Sequence, residues 1–256
     1  MQQLAGHRVL LCNDDGIEAD GIRLLERLVN PHAAETWVVA PAEEMSGASH
    51  SISMHLPIRY RRVDDHHHAV KGTPTDCALM GIYEIMPEKP TLLLSGINWG
   101  ANLAEDLTYS GTASAAMEGA LLGVPSVAMS LVHAFEEVHW ATAERFAPEV
   151  IAGILDAGIA PGTFVNVNFP PVAPDEVKGI RVCRLGQRPP GSFKPTRRTD
   201  ARHKDYWWIE IMRVDHDVVP GTDLEAIENG EIAVTPIQLD MTADRSMRAL
   251  EQAFAG

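Results

Sequence analysis

Cysteine is scarce in this sequence: there are three in 256 residues. Cys12, Cys77 and Cys183 stand at no paired spacing, which excludes a thiolate metal knot and a disulfide scaffold. Each reads as a reduced, structural residue, and Cys12 closes an apolar run where a small hydrophobe fits. Basic residues are also in deficit, since 21 Lys and Arg against 35 Asp and Glu leave a net charge of -14. A field of that sign repels polyanions, so partners held by charge alone, such as a nucleic-acid polymer or an anionic membrane surface, are excluded. Any anionic ligand needs a local positive charge. A long hydrophobic run is missing too, because Pro125, Ser126 and Ser130 interrupt the most apolar stretch. The first residues, "MQQLAGHRVLL", carry no long apolar segment behind a basic one, and the expectation is a cytoplasmic protein.

What is present is an ordinary globular composition, 45% apolar and 22% charged, enough for one sizeable core with an appended lobe. In the first half, short apolar runs alternate with helix-like segments. "RVLLC" reads as a strand, and "DGIRLLERLV" places Ile22, Leu25, Leu28 and Val29 at helical spacing behind a cap at Asp20. "WVVAP" and "TLLLSGIN" read as buried strands, and "PSVAMSL" as another. "GTPTDCALMGIYEIM" offers Thr73 as a helix cap with Pro74 at the first helical position, and "YSGTASAAMEGALLG" a helix of small residues ending at Gly123. Strands alternating with helices predict an α/β fold, a mostly parallel sheet covered by helices on both faces.

The second half differs. "ERFAPEVIAGILDAG" is helix-like, with Pro148 predicted to bend or begin the helix. "FVNVNFP", "GIRVCRL", "YWWIEIMRV" and "EIAVTPIQ" are strand-like and surround a Pro- and Arg-rich excursion, "GQRPPGSFKPTRRTDARHKD". Residues 1–256 are taken as one domain, with 1–135 as its core and 136–256 as further core elements plus a β-rich carboxyl-terminal extension.

In an open parallel α/β sheet, ligands bind outside the carboxyl ends of the strands. Three polar loops begin at such ends and supply Asp14 with Asp15, Ser46, and Asn98. All four are oxygen donors, a set suited to a hard divalent ion such as Mg2+ or Mn2+ rather than to zinc. Adjacent aspartates converge in the turn that Gly16 permits. "NDDG" in isolation also reads as a solvated turn, but its place directly after a buried strand favours the metal. Ser110, Gly111 and Thr112 stand at a helix start, where backbone N–H groups, two hydroxyls and the positive end of the dipole suit phosphate oxygens. Simple capping by Ser110 or Thr112 is an equal alternative at this point.

Together these segments resemble a known family. "NDDG", "VVAPAEEMSGASHSIS", "KGTPTDC", "SGINWGANLAEDLTYSGTASAAMEGALLGVPSVAMS" and "VTPIQLDMT" are similar to the SurE (survival protein E) family of metal-dependent 5'-nucleotidases. The resemblance runs from "RVLLC" to "LDMT". It implies a Rossmann-like fold, hydrolysis of nucleoside 5'-monophosphates, and one divalent ion per subunit held by Asp14, Asp15, Ser46 and Asn98. Asp14 and Asp15 are the catalytic candidates, and Asn102, Ser110, Gly111 and Thr112 the phosphate-binding ones. A homodimer or homotetramer with exchanged carboxyl-terminal segments is implied as well. "TDARHKDYWWI" departs from the family's usual Asp-Pro-Arg-Gly-Arg run, with Ala201 and His203 in place of Pro and Gly.

The remaining polar clusters have blander readings. His66, His67 and His68 beside two aspartates read as a solvated turn or strand edge rather than a metal site. Arg184, Arg188, Lys194, Arg197 and Arg198 can approach an anionic substrate, but read better as a solvated or subunit-contact surface. Trp207 and Trp208 read as strand packing before base stacking. The chemistry itself leaves rivals open: an aspartyl-phosphate formed on Asp14 or Asp15, binding without turnover in a nucleotide or metal sensor, and 3'-nucleotides or polyphosphate as further substrates. The base that takes the water proton is also open.

Overall fold

The computed structural model describes residues 1–133, 138–190, 193–211 and 218–255. The apolar run Arg8–Cys12 forms β1, and the helical spacing behind it forms α1 (Asp20–Val29). Next come β2 (Glu35–Pro41), a hairpin of β3 (Arg59–Arg62) and β4 (His67–Lys71), and α2 (Pro74–Met80). The alternation continues through β5 (Leu92–Trp99), α3 (Gly111–Leu121), β6 (Ser126–Leu131), α4 (Trp140–Ala157) and β7 (Thr163–Phe169). Behind β7 lie β8 (Ile180–Val182), β9 (Phe193–Thr199), β10 (Asp205–Ile211), α5 (Asp223–Glu228), β11 (Ile232–Gln238) and α6 (Asp244–Phe254).

Nine strands make one sheet in the order β3, β4, β2, β1, β5, β6, β7, β11, β8. From β4 to β7 every neighbouring pair is parallel, while β3 on β4 and β11 on β7 are antiparallel. Strand side chains alternate between faces, and β1 shows the result. Val9 and Leu11 pack with Ile22 and Leu25 of α1 and Ile151 of α4, whereas Leu10 and Cys12 pack with Cys77 of α2 and Ala113 and Ala116 of α3. The expected α/β architecture with helices on both faces is therefore the observed one. The β-rich extension is a hairpin, because β9 and β10 pair with each other in a sheet of their own.

Three local expectations need correction, and one element was unanticipated. Asp20 is the first residue of α1 rather than its cap, a position held by Ala19 with no side-chain hydrogen bond. Of the two expectations for Pro148, beginning the helix is excluded, because it lies within α4. The His66–His68 segment is more than a solvated turn: His67 opens β4, which lies inside the sheet, and His68 is buried. The helix Asp244–Phe254 was not foreseen. By contrast, Thr73 caps α2 as expected, in a capping box with Asp76, and Ser110 caps α3 by accepting from the Ala113 N–H. Gly191, Ser192 and the end of the "YWWIEIMRV" run at Met212–Val214 lie outside the described residues, as does the division at residue 135. The sheet passes that division directly, since β6 pairs with β7.

His203 adopts a φ of 58°, the left-handed conformation that a glycine takes without cost. The turn between β9 and β10 forms nonetheless, because Asp200 Oδ1 accepts hydrogen bonds from the Arg202 and Lys204 N–H groups.

Candidate functional site

The carboxyl ends of β1, β2 and β5 meet the start of α3. β1 ends at Cys12, and the following turn uses Gly16 at a φ of 100° and a hydrogen bond from Asn13 Nδ2 to the Gly16 carbonyl at 2.7 Å. This turn puts Asp14 inward, 4% exposed, and leaves Asp15 half-buried beside it. The Thr112 hydroxyl donates to Asp14 Oδ1. A Cβ at position 111 would stand 2.7 Å from Asp14 Cβ and 2.9 Å from its Oδ2, so only glycine lets the helix start approach this closely. On the other side, the Trp99 N–H donates to Asp15 Oδ2 at 3.1 Å.

Burial raises the pKa of Asp14, while the Thr112 hydroxyl and the backbone N–H groups of Asp14, Thr112 and Gly111 pull it back. Asp15 is raised to about 6, first by burial and then by the charge of Asp14. Among the described residues neither carboxylate has a Lys or Arg partner. Two adjacent carboxylates half-removed from water without a counter-charge are a site that a cation would stabilise. No cluster of three or more His, Cys, Asp or Glu side chains suits a metal among the described residues, so an ion here depends on the neutral oxygens as well.

Of those neutral donors Ser46 lies on a loop, whereas Asn98, expected on the loop after β5, lies within the end of that strand. The β5 register shifts between Ser95 and Asn98, a bulge that re-aims the strand's end. Asn98 Nδ2 is committed to the Gly100 carbonyl at 2.9 Å, which leaves its oxygen as the free end. Ser46 lies on the loop after β2, exposed, and donates to Glu44 Oε1 at 2.9 Å. The loop is tied to the site through its backbone: the Met45 N–H donates to the Asp14 carbonyl at 2.8 Å and the Ser49 N–H to the Tyr109 carbonyl at 3.1 Å. The two aspartates, Thr112 and Gly111 are thus in direct contact, while Ser46 and Asn98 border them without a hydrogen bond to either carboxylate.

Asn102 is buried in an amide cluster that sequence reasoning missed. Its N–H donates to Asn168 Oδ1 at 2.9 Å and its side-chain nitrogen to Ser130 Oγ at 2.8 Å. Its carbonyl accepts from Asn166 at 2.8 Å and Asn168 at 3.1 Å. The signal was in "FVNVNFP", where asparagine recurs at alternate positions of an otherwise apolar strand. Two amides on one face of a buried strand must find partners.

The other clusters resolve as structure. Arg188 binds Asp106 through Nη2 at 2.9 Å and Glu105 through Nη1 at 3.2 Å, pinning the Pro-rich excursion to the loop before α3. Arg197 pairs with Asp205 and Arg198 with Glu210. His67 sits between Glu26 at 2.9 Å and Asp64 at 2.8 Å. Trp207 and Trp208 are 58% and 61% exposed on the hairpin, so strand packing within this chain does not cover them.

Comparison with known proteins gives a concordant result. The family model described as survival protein SurE matches residues 9–191. The chain is 44% identical over 252 residues to the 5'-nucleotidase SurE of Chelativorans sp. (strain BNC1), covering 97% of this chain and 100% of that one. It is 45% identical over 242 residues to the 5'-nucleotidase SurE of Brucella suis, covering 93% of this chain and 94% of the relative. The crystal structure of the SurE protein from Aquifex aeolicus is similar with a TM-score of 0.83 and 37% identity, over 96% of this chain and 99% of that one.

Proposed function

This chain belongs to the survival protein SurE family, and from that membership we propose that it is a divalent-metal-dependent phosphatase hydrolysing nucleoside 5'-monophosphates to nucleoside and phosphate. The carrying observation is the uncompensated pair Asp14 and Asp15 at the carboxyl end of β1, set against the start of α3. Asp14, Asp15, Ser46 and Asn98 would hold one Mg2+ or Mn2+ ion per subunit. When bound, the ion neutralises phosphate charge that this acidic protein would otherwise repel, and it polarises the reacting oxygens.

The chain's own groups do the rest. Asn102, Ser110, Gly111 and Thr112 form the phosphate-binding end, with the Gly111 and Thr112 N–H groups shared with the Asp14 carboxylate. Ser110 caps the helix by accepting from the Ala113 N–H at 3.0 Å and keeps its own O–H as a donor for a phosphate oxygen. Thr112 fixes the Asp14 carboxylate. Asp15, the more exposed of the pair, accepts the proton of the attacking water.

The enzyme assembles as a homodimer or homotetramer, with residues 1–256 as one domain. The support is the isolated β9–β10 hairpin with its exposed tryptophans, and α6, which buries none of its residues in this chain. The three buried free thiols suit a reducing compartment, the cytoplasm. Among the described residues no helix is long and apolar enough to cross a membrane.

The test is phosphate release from AMP and GMP with Mg2+ or Mn2+, against the same assay with chelator. Release that the chelator abolishes is expected. A folded, ion-supplied protein that binds nucleotide without releasing phosphate would overturn the proposal and leave a sensor.

A further inference from the structure

A cavity of about 390 Å³ opens beside Asp15, with no residue of α3 in its lining. Its lining includes Asp15, Glu44, Trp99, Asp20, Val138 and Trp140. That volume falls in the range of small-molecule sites, about 300–1,000 Å³. Trp99 is 58% exposed, so its indole is open to a ligand, while its backbone N–H ties this end of β5 to Asp15. One of its faces stacks on the His133 ring, with centroids 5.0 Å apart and planes 20° from parallel. Trp140, at the start of α4, forms another wall, packed where Gly21 has no side chain to obstruct it: a Cβ there would lie 3.1 Å from the indole and 1.8 Å from the Ile97 carbonyl.

The cavity's chemistry divides a substrate in two. Asp15, Asp20 and Glu44 make it acidic, so it repels phosphate. The same carboxylates accept hydrogen bonds from hydroxyl and amine groups, and the indoles offer flat π-surface. A phosphomonoester whose phosphate sits at the aspartate pair therefore directs its uncharged half past Asp15 into this space. We infer that Trp99 is a specificity-determining residue that stacks the nucleobase of a bound nucleoside monophosphate, with Trp140 as the facing wall and Asp20 and Glu44 accepting from ribose hydroxyls or base amines. The inference rests on the phosphatase reading above and adds to it where the heterocycle binds.

The experiment compares AMP with ribose 5-phosphate, which lacks the base, in the full-length protein with Mn2+. The wild-type protein should prefer AMP in kcat/KM. Trp99→Ala should lower the AMP to ribose 5-phosphate ratio about tenfold, mainly through KM for AMP, as loss of one base–aromatic stack predicts. Trp99→Phe, which keeps an aromatic face, should restore most of the ratio. A wild-type protein that does not distinguish the two compounds overturns the stacking site, as does an unchanged ratio in Trp99→Ala. Phosphate release from neither compound would instead remove the phosphatase reading, and this inference with it.

Discussion

The Thr112 hydroxyl at the start of α3 donates to the Asp14 carboxylate at the end of β1, 98 positions earlier in the chain. The same helix is capped by Ser110, so capping and the contact with the aspartate fall to two different residues. They separate experimentally. Ser110→Ala should cost about 1 kcal/mol of stability as a lost cap. Thr112→Val should lower turnover more than it lowers stability. Urea unfolding read beside phosphate release checks both, and a Thr112→Val protein that loses stability but keeps its kinetics would assign Thr112 to the fold alone.

Replacing Asp14 or Asp15 by Asn keeps size and removes charge. Turnover should fall by at least about 100-fold, the usual loss for one preorganised electrostatic group. The metal-free protein should stay folded, because the substitution also relieves the repulsion between the buried Asp14 and half-buried Asp15 carboxylates. Circular dichroism and calorimetric titration with Mn2+ check fold and ion binding. Near wild-type turnover with retained chelator sensitivity would remove the pair from the metal site.

Direct attack by water and attack by an aspartate differ in where oxygen goes. Many turnovers in heavy-oxygen water should label released phosphate and leave the carboxylates of Asp14 and Asp15 unlabelled, as peptide mass spectrometry would read. Label in either side chain would establish a covalent phosphoenzyme.

Asn168 donates to the Asn102 carbonyl and accepts from the Asn102 N–H. Asn168→Ala should cost about 1–3 kcal/mol, the penalty for buried groups left unpaired. It should also lower kcat/KM while the protein is folded, because the turn carrying Asn102 loses its anchor. Denaturant unfolding and kinetics at one temperature check the pair of effects.

Burial alone would lower the pKa of His67, but hydrogen bonds to Asp64 and Glu26 and their charges raise it above the ordinary histidine value. The protonated clamp between α1 and β4 is therefore complete below about pH 6.5 and is lost as pH rises through the higher folded value. With solvent screening the clamp is worth about 0.5–1 kcal/mol. His67→Gln should flatten the decline in stability between about pH 6 and 8. Thermal unfolding across that interval checks it.

Much of this fold was legible because β1, β2, β5, β6 and β7 are apolar runs with clear breaks, and because Thr73 and Ser110 are good caps. The pairing of Asp14 with Asp15 was legible for the same reason: polar residues after a buried strand fall at one end of a parallel sheet. The Asn102 cluster and the Trp99 cavity were not. Each depends on which strands become neighbours, β6 and β7 in one case and β5 with α1 and α4 in the other, and periodicity does not encode neighbours. The β3–β4 hairpin was missed because "RYRR" has four exposed side chains and so lacks the alternation of a half-buried strand.

The hydrogen bonds that Asn166 and Asn168 send back to Asn102 change what a shortened protein would be. A chain cut after β6 would still possess every proposed ion and phosphate ligand, from Asp14 to Thr112. It would lack the two amides that fasten the turn on which Asn102 rides. During synthesis the same holds in time: the ligands are all translated before the strand whose amides fasten the Asn102 turn, so the final placement of that turn waits on β7.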